Sequence, residues 1–165
     1  MKRSRFFFFD VVPVAKGRVR LSPRTGGIYT PQKTRDAQET IQELAALDTE
    51  HDAPLSGPLQ GSFLFLYSSP LVRKIRVVKT TKPDVTNLVK LVEDALLPVI
   101  DRRTRAELWQ GIYHDDSQII WEHTAKMYCW TPTIRRGIYV RLTEMDDSDL
   151  DDLVRWAETL IQGGK

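Results

Sequence analysis

Cysteine is almost missing from this chain: Cys129 is the single one in 165 residues, so no disulfide within the chain can brace its fold. A reducing, cytoplasmic compartment is the expected setting. Long hydrophobic runs are missing too. The apolar stretch Phe6–Phe9 is far too short to cross a bilayer, and Asp10 closes it before a secretory core can form. A membrane protein and a secreted one are therefore not expected. His51, His114 and His123 share no metal-ligand spacing with one another or with Cys129, which argues against a zinc site. No organic cofactor is expected either. What is present is 41% hydrophobic and 28% charged residues, enough apolar material for one core and too much for a disordered chain. At this length folding removes roughly 70% of the unfolded surface from water, and residues 1–165 read as a single domain.

The net charge of +2 hides an uneven distribution. Residues 1–40 hold nine Lys/Arg against three Asp/Glu, whereas residues 144–165 hold two against seven. A basic arm at 13–33 and an acidic C-terminal segment suggest that one surface meets a polyanion.

Strand-like and helix-like stretches alternate without a repeat. Phe6–Val12 reads as a strand, followed by a basic loop broken by Gly17, Pro23, Gly26 and Gly27. Thr30-Pro31 reads as a helix start with Thr as the N-cap, and Ala37, Ile41, Leu44 and Ala45 recur at helical spacing to Asp48. Gly61–Ser68 and Leu71–Thr80 read as an antiparallel hairpin. A helix is expected from Asp84 to about Ile100, then a turn at Asp115-Asp116-Ser117. Strands at 118–130 and 137–143 are expected to pair with each other. Ser148 with Asp151 resembles a capping box for a last helix over 146–162, striped by Leu150, Leu153, Val154, Ala157, Leu160 and Ile161. The fold class is α+β, a small mixed, mostly antiparallel sheet with helices packed on it.

Chemistry concentrates in Lys82–Leu96 and Tyr113–Ile119. At helical spacing Leu88, Leu91, Val92, Ala95 and Leu96 share one arc, while Asn87, Lys90, Glu93 and Asp94 share the opposite, polar one. Standing alone, that polar arc would be a solvated face with a Lys90–Asp94 pair. Asp115 and Asp116 in a tight turn repel, and bringing them near Asp84 raises their pKa values unless a cation neutralises them. A cluster of aspartate oxygens suits Mg²⁺ or Mn²⁺, with a substrate phosphate completing the shell.

These two segments resemble the RusA family of Holliday-junction resolvases, endodeoxyribonucleases often carried by phages. The shared pattern reads here as Lys82-Pro83-Asp84, Asn87-Leu88, Lys90, Asp94-Ala95-Leu96, Asp115-Asp116-Ser117-Gln118 and Lys126. Pro13–Arg18, Arg20 and Tyr29-Thr30-Pro31 resemble the start of phage-type members. The resemblance implies a homodimer that binds four-way DNA junctions and nicks them symmetrically, with Mg²⁺ as cofactor and Mn²⁺ as a substitute, in recombination and repair. It implies Asp84, Lys90, Asp115 and Asp116 as catalytic residues and Asp84, Asp94, Asp115 and Asp116 as metal ligands. Lys16, Arg18, Arg20 and Lys33 would contact phosphates, Lys82, Asn87 and Lys126 would hold the strand near the site, and Tyr29 would intrude at the junction.

One position departs from the pattern. The family's second aspartate, two residues after the first, is Thr86, which also reads as an N-cap just before the helix. The alternative is thus a branched-DNA-binding protein that cuts weakly. A further alternative is a small metal-dependent phosphoesterase acting on nucleotides or RNA.

Overall fold

The computed structural model describes residues 2–24, 26–49, 52–68, 78–101, 103–129, 131 and 133–163. In chain order the elements are β1 (Ser4–Phe9), β2 (Arg20–Leu21), β3 (Ile28–Tyr29), α1 (Gln32–Asp48), β4 (Leu59–Tyr67), α2 (Val85–Leu96), β5 (Val99–Ile100) and β6 (Glu107–Trp109). A 3₁₀ turn (Asp116–Gln118) leads into β7 (Ile119–Tyr128), then β8 (Gly137–Glu144) and α3 (Asp147–Gly163). The main sheet runs β1-β8-β4-β7, while β2 pairs with β3 and β5 with β6. The expected α+β class, a mixed and mostly antiparallel sheet with helices, is what the chain forms.

The expected pairing of the two late strands does not form, because β4 lies between them. It runs antiparallel to β8 and parallel to β7. Its apolar residues occupy both faces: Phe63 and Phe65 enter the core, and Leu66, on the opposite face, is buried as well. A strand buried on both faces belongs inside a sheet, where both backbone edges are paired. Parallel neighbours need a crossover, and α2 lies within the one joining β4 to β7. It packs with α1 over one face of the sheet, where Ile41, Ala45, Leu88, Leu91, Val92 and Leu96 meet Phe7, Phe9, Phe63 and Val140.

Other boundaries also shift for local reasons. Pro31, not Thr30, is the N-cap of α1, a position where proline's missing N–H has no helical partner to lose. Pro98 forces Leu97 into an extended conformation, so α2 ends at Leu96 and not near Ile100. Thr86 lies inside α2; the residue at the N-cap is Asp84. The box at α3 joins Asp146 and Asp149, whose backbone N–H groups and carboxylates bond reciprocally at 3.0 and 3.1 Å, in place of Ser148 and Asp151. The loop-like arm contains the β2–β3 hairpin, anchored at its base by Lys16 N–H to the Asn87 carbonyl at 2.8 Å and Gly17 N–H to Thr34 Oγ1 at 3.0 Å. A Cβ on Gly17 would sit 2.8 Å from that hydroxyl, so the approach needs glycine.

Of the expected hairpin partner at 71–80, residues 71–77 lie outside the described residues. Its described end does not pair with β4: Val78 bridges antiparallel to Met127 on the other edge of β7. The α3 stripe is only partly covered. Trp156 stacks on Trp121 at 5.9 Å, but Val154, Leu160 and Ile161 stay exposed. Among the described residues no helix is long and apolar enough to cross a membrane.

The N-terminal strand is tied down by charge. Arg3 pairs with Glu144, and the Ser56 N–H donates to the same carboxylate at 2.8 Å, holding Glu144 down at about 2. A depressed carboxyl adds stability above its unfolded value near 4.5 that is lost as pH falls toward 2. Replacing Glu144 by Gln should therefore lower the melting temperature at pH 7, by the few degrees that roughly 1 kcal/mol represents. In calorimetry the difference should shrink steadily below pH 4 and vanish near pH 2.

Candidate active site

Two distant segments meet at the edge of the sheet. On the helix side of β7, alternation places Glu122, Thr124 and Lys126 toward α2, a polar row where a core strand would carry apolar side chains. On the opposite wall α2 offers Thr86, Lys90 and Glu93. The turn before β7 supplies Asp116, and the Asp-Asp-Ser-Gln spacing explains how. Asp115 accepts the Ser117 N–H at 2.9 Å, and Gln118 Oε1 accepts the N–H groups of His114 and Asp115 at 2.8 and 3.1 Å. Gln118 also donates to the Gly57 carbonyl at 3.0 Å, pinning the turn to the rest of the chain. The hydrogen bonds from Ser117 hold the Asp115 carboxyl below its ordinary range, the reverse of the rise expected from repulsion within the pair. His114 is an exposed turn residue.

The Lys90 ammonium is the centre of the cluster. It hydrogen-bonds Asp116 and lies 3.7 Å from both Glu93 and Asp94. Asp116 and then the other carboxylates raise its pKa, which keeps it charged. Asp94 is also paired with Lys16 and accepts from Gln38 Nε2 at 3.3 Å. Glu93, expected on a solvated arc, is buried instead. Burial first, then the adjacent Glu122 carboxylate with which it shares a hydrogen bond, pushes its carboxyl up to about 7. Tyr113, fully buried, donates its hydroxyl to the Glu93 carbonyl at 2.9 Å and locks the approach to the turn against α2.

The remaining expected residues are distributed around this centre. Asp84 is exposed at the start of α2, and its carboxylate carries no hydrogen bond or ion pair among the described residues. Lys82 and Asn87 are exposed nearby. Lys126 donates to the carbonyls of Thr81 and Pro83 at 2.7 and 2.5 Å, so its ammonium braces the loop that carries Asp84. Arg18, Arg20 and Tyr29 project from the exposed hairpin, and Lys33 from the start of α1. Glu93 and Glu122 were not expected here. A carboxylate at the border of an amphipathic arc, followed by an acid on a strand interior, is the signal that marks them.

The matching family model, described as endodeoxyribonuclease RusA, covers residues 10–141. The chain belongs to the RusA family. RusA proteins are endonucleases that act on Holliday junctions, and the matched span includes the whole Lys90 cluster. None of the curated proteins matches the chain.

Oxygen donors dominate the crevice, the chemistry a hard divalent cation prefers. Four carboxylates, Glu93, Asp94, Asp116 and Glu122, face two ammonium groups, Lys16 and Lys90. Among the described residues no three His, Cys, Asp or Glu side chains converge into a ready cage. Mg²⁺ needs only one or two carboxylates with waters, so donor type and charge excess fit it.

Glu93 binds its proton more tightly folded than unfolded. Stability is therefore full below about 4.5 and falls as pH rises through about 7, with Glu122, Lys90 and Asp116 facing the group. Substituting Gln for Glu93 should flatten that slope. In chelator the variant should melt with the parent at pH 4 and a few degrees above it at pH 8, on the order of 2–4 °C for each kcal/mol relieved.

Proposed function

We propose that this RusA-family chain is a divalent-metal-dependent endonuclease that resolves four-way junctions by paired symmetric nicks in recombination and repair, as phage-borne members of its class would. The observation that carries the reading is the meeting of Lys90 with Asp116 across two motif segments. Asp84, Asp94, Asp115 and Asp116 are the aspartates proposed to hold the cation, Asp94 and Asp116 standing nearest Lys90. Mg²⁺, or Mn²⁺ in its place, supplies Lewis-acid neutralisation of the scissile phosphate when bound. Lys90 acts on the developing negative charge of the transition state, in a crevice whose walls already orient its ammonium.

DNA contact is proposed for the arm. Arg18, Arg20 and Lys33 would meet backbone phosphates, and Lys82 and Asn87 the strand entering the site. Tyr29, 45% exposed on the hairpin beside the exposed Ile28, has the position for stacking on an opened base step.

A junction is close to two-fold symmetric, so a homodimer can offer two equivalent sites to two equivalent strands. Support for a second copy comes from the sheet face away from α1 and α2. There Phe6, Leu64 and Tyr139 line an apolar groove of about 610 Å³, with the exposed stripe of α3 elsewhere on the surface. Thr86 favours the second reading, a junction binder with weak cleavage.

Gel-resolved cleavage of a labelled four-way junction tests both readings, in Mg²⁺, Mn²⁺ and chelator, beside a linear duplex. Symmetric metal-dependent nicks confined to the junction are expected from the parent. Asp116→Asn should abolish them and keep junction binding, and Lys90→Ala should slow them by about 10²–10³-fold. A parent that binds without nicking in either metal would establish the second reading. Asp116→Asn cutting at the parental rate would remove Asp116 from the machinery.

A further inference from the structure

Where β4 and β7 end side by side, a pocket of about 340 Å³ opens at the foot of the arm. Val12 and Pro13, which lead out of β1 into the arm, give it an apolar wall. Its cations are Lys79 and Arg136, and among the described residues no carboxylate lines it. Lys79 is the only Lys or Arg buried among the described residues, at 9% exposure. Buried charges are normally paired with an opposite charge, yet Lys79 makes no ion pair among the described residues. Its ammonium lies 5.1 Å from the Tyr67 ring centre and 5.5 Å from that of Tyr128, and it donates to Thr81 Oγ1. Ring faces and one hydroxyl orient an ammonium without neutralising it, and they leave some of its three N–H donors to spare. Arg136, exposed at the rim, has no hydrogen bond or ion pair among the described residues. The pocket also adjoins the loop that delivers Asp84. Lys79 N–H donates to the Lys126 carbonyl at 3.1 Å, and the Lys126 ammonium in turn holds the Thr81 and Pro83 carbonyls.

We infer that this pocket seats a backbone phosphate of the DNA strand beside the Asp84 loop, with Lys79 as its buried contact and Arg136 at its rim. The inference rests on the reading of junction DNA as the substrate and needs no metal. An anion there supplies the counter-charge that the fold withholds from Lys79, and a part-desolvated ammonium held in place attracts it more strongly than one moving freely in water. The apolar wall of Val12 and Pro13 suits the deoxyribose next to such a phosphate. Lys79 would thus fix the strand between the arm and the Lys90 cluster, as a binding residue and not a catalytic one.

Fluorescence anisotropy of a labelled four-way junction tests this, in chelator, with salt varied from roughly 50 to 200 mM. Parent, Lys79→Met, Arg136→Ala and Arg155→Ala would be compared, Arg155 being an exposed cation of α3 outside the pocket. Lys79→Met should weaken binding by about tenfold or more. It should also lower the logarithmic salt slope by about 1 for each chain bound, a change that a merely structural role would not produce. Arg136→Ala should lower the slope likewise, and Arg155→Ala should leave it at the parental value. Melting curves check that Lys79→Met folds; should it not, the exposed Arg136 carries the test, and a parental slope in Arg136→Ala overturns the inference. A parental slope in Lys79→Met overturns it too, as does an equal fall in Arg155→Ala. If inorganic phosphate raises the melting temperature of the parent but not of Lys79→Met, while both bind the junction alike, the pocket holds a free anion and the strand assignment fails. Nicking in Mg²⁺ separates the claims. Parental binding and nicking in Lys79→Met remove the pocket and leave the nuclease reading standing, whereas a parent that binds through Lys79 yet never nicks keeps the pocket and loses that reading.

Discussion

The parallel pairing of β4 with β7 is the constraint from which the site follows. In a sheet otherwise built of antiparallel neighbours, that one pair obliges the chain to leave β4, cross a face and return in the same direction. The return path carries α2 and delivers the Asp115–Gln118 turn to the start of β7, on the helix-covered side. Lys90 and Asp116 are 26 positions apart in sequence, and the crossover brings them into contact. Had β7 paired with β8 as a hairpin, α2 and the turn would have had no reason to share an edge.

That geometry also explains why a polar crevice can exist beside a packed core. The inner arc of α2 is spent on Leu88, Leu91, Val92 and Leu96, all at or near zero exposure. These contacts hold the helix whatever its other edge carries, since burying each large aliphatic side chain stabilises by about 1.5–3 kcal/mol. Glu93 sits where the arc turns toward β7 and is buried with it. The chain tolerates an acid there, and carboxylates held close to one another resist folding until a cation relieves them. Strain of this kind gathers at functional sites because the surrounding packing is strong enough to bear it.

Much of the architecture was legible because it is local. The three helices, four of the long strands' positions and the motif spacing all follow from periodicity and punctuation, and Lys90 with Asp116 follows from family resemblance. What was not legible depends on partners far away in sequence. Pairing of β7 with β8 looks natural when neighbours are judged by adjacency, and only the two-sided burial of β4 reverses it. Glu93 reads as solvated on a helical wheel because the wheel knows nothing of the strand opposite. Glu122 reads as an ordinary strand acid until α2 is laid over β7. Lys126 was legible as a family position, but its bonds to the Thr81 and Pro83 carbonyls belong to a loop whose path the sequence does not reveal.

Charge shows the same difference between composition and structure. Of the nine Lys/Arg in residues 1–40, Lys2, Arg3, Arg5 and Lys16 are paired with carboxylates of the chain. Lys2 reaches Asp146 and Asp149, so part of the basic N-terminus neutralises the acidic start of α3. Lys16 is paired with Asp94, beside the Lys90 cluster. The other five, Arg18, Arg20, Arg24, Lys33 and Arg35, have no ion pair with a carboxylate among the described residues, and they lie on the arm and the start of α1. Each phosphate neutralised steepens the salt dependence of duplex binding by about 0.9 in the logarithmic slope. On the proposed reading, in which the arm together with Lys82 and Asn87 meets the DNA, the number of phosphate contacts is small and the slope modest, so recognition of a branched substrate draws on shape and on the exposed apolar residues of the hairpin as well as on charge.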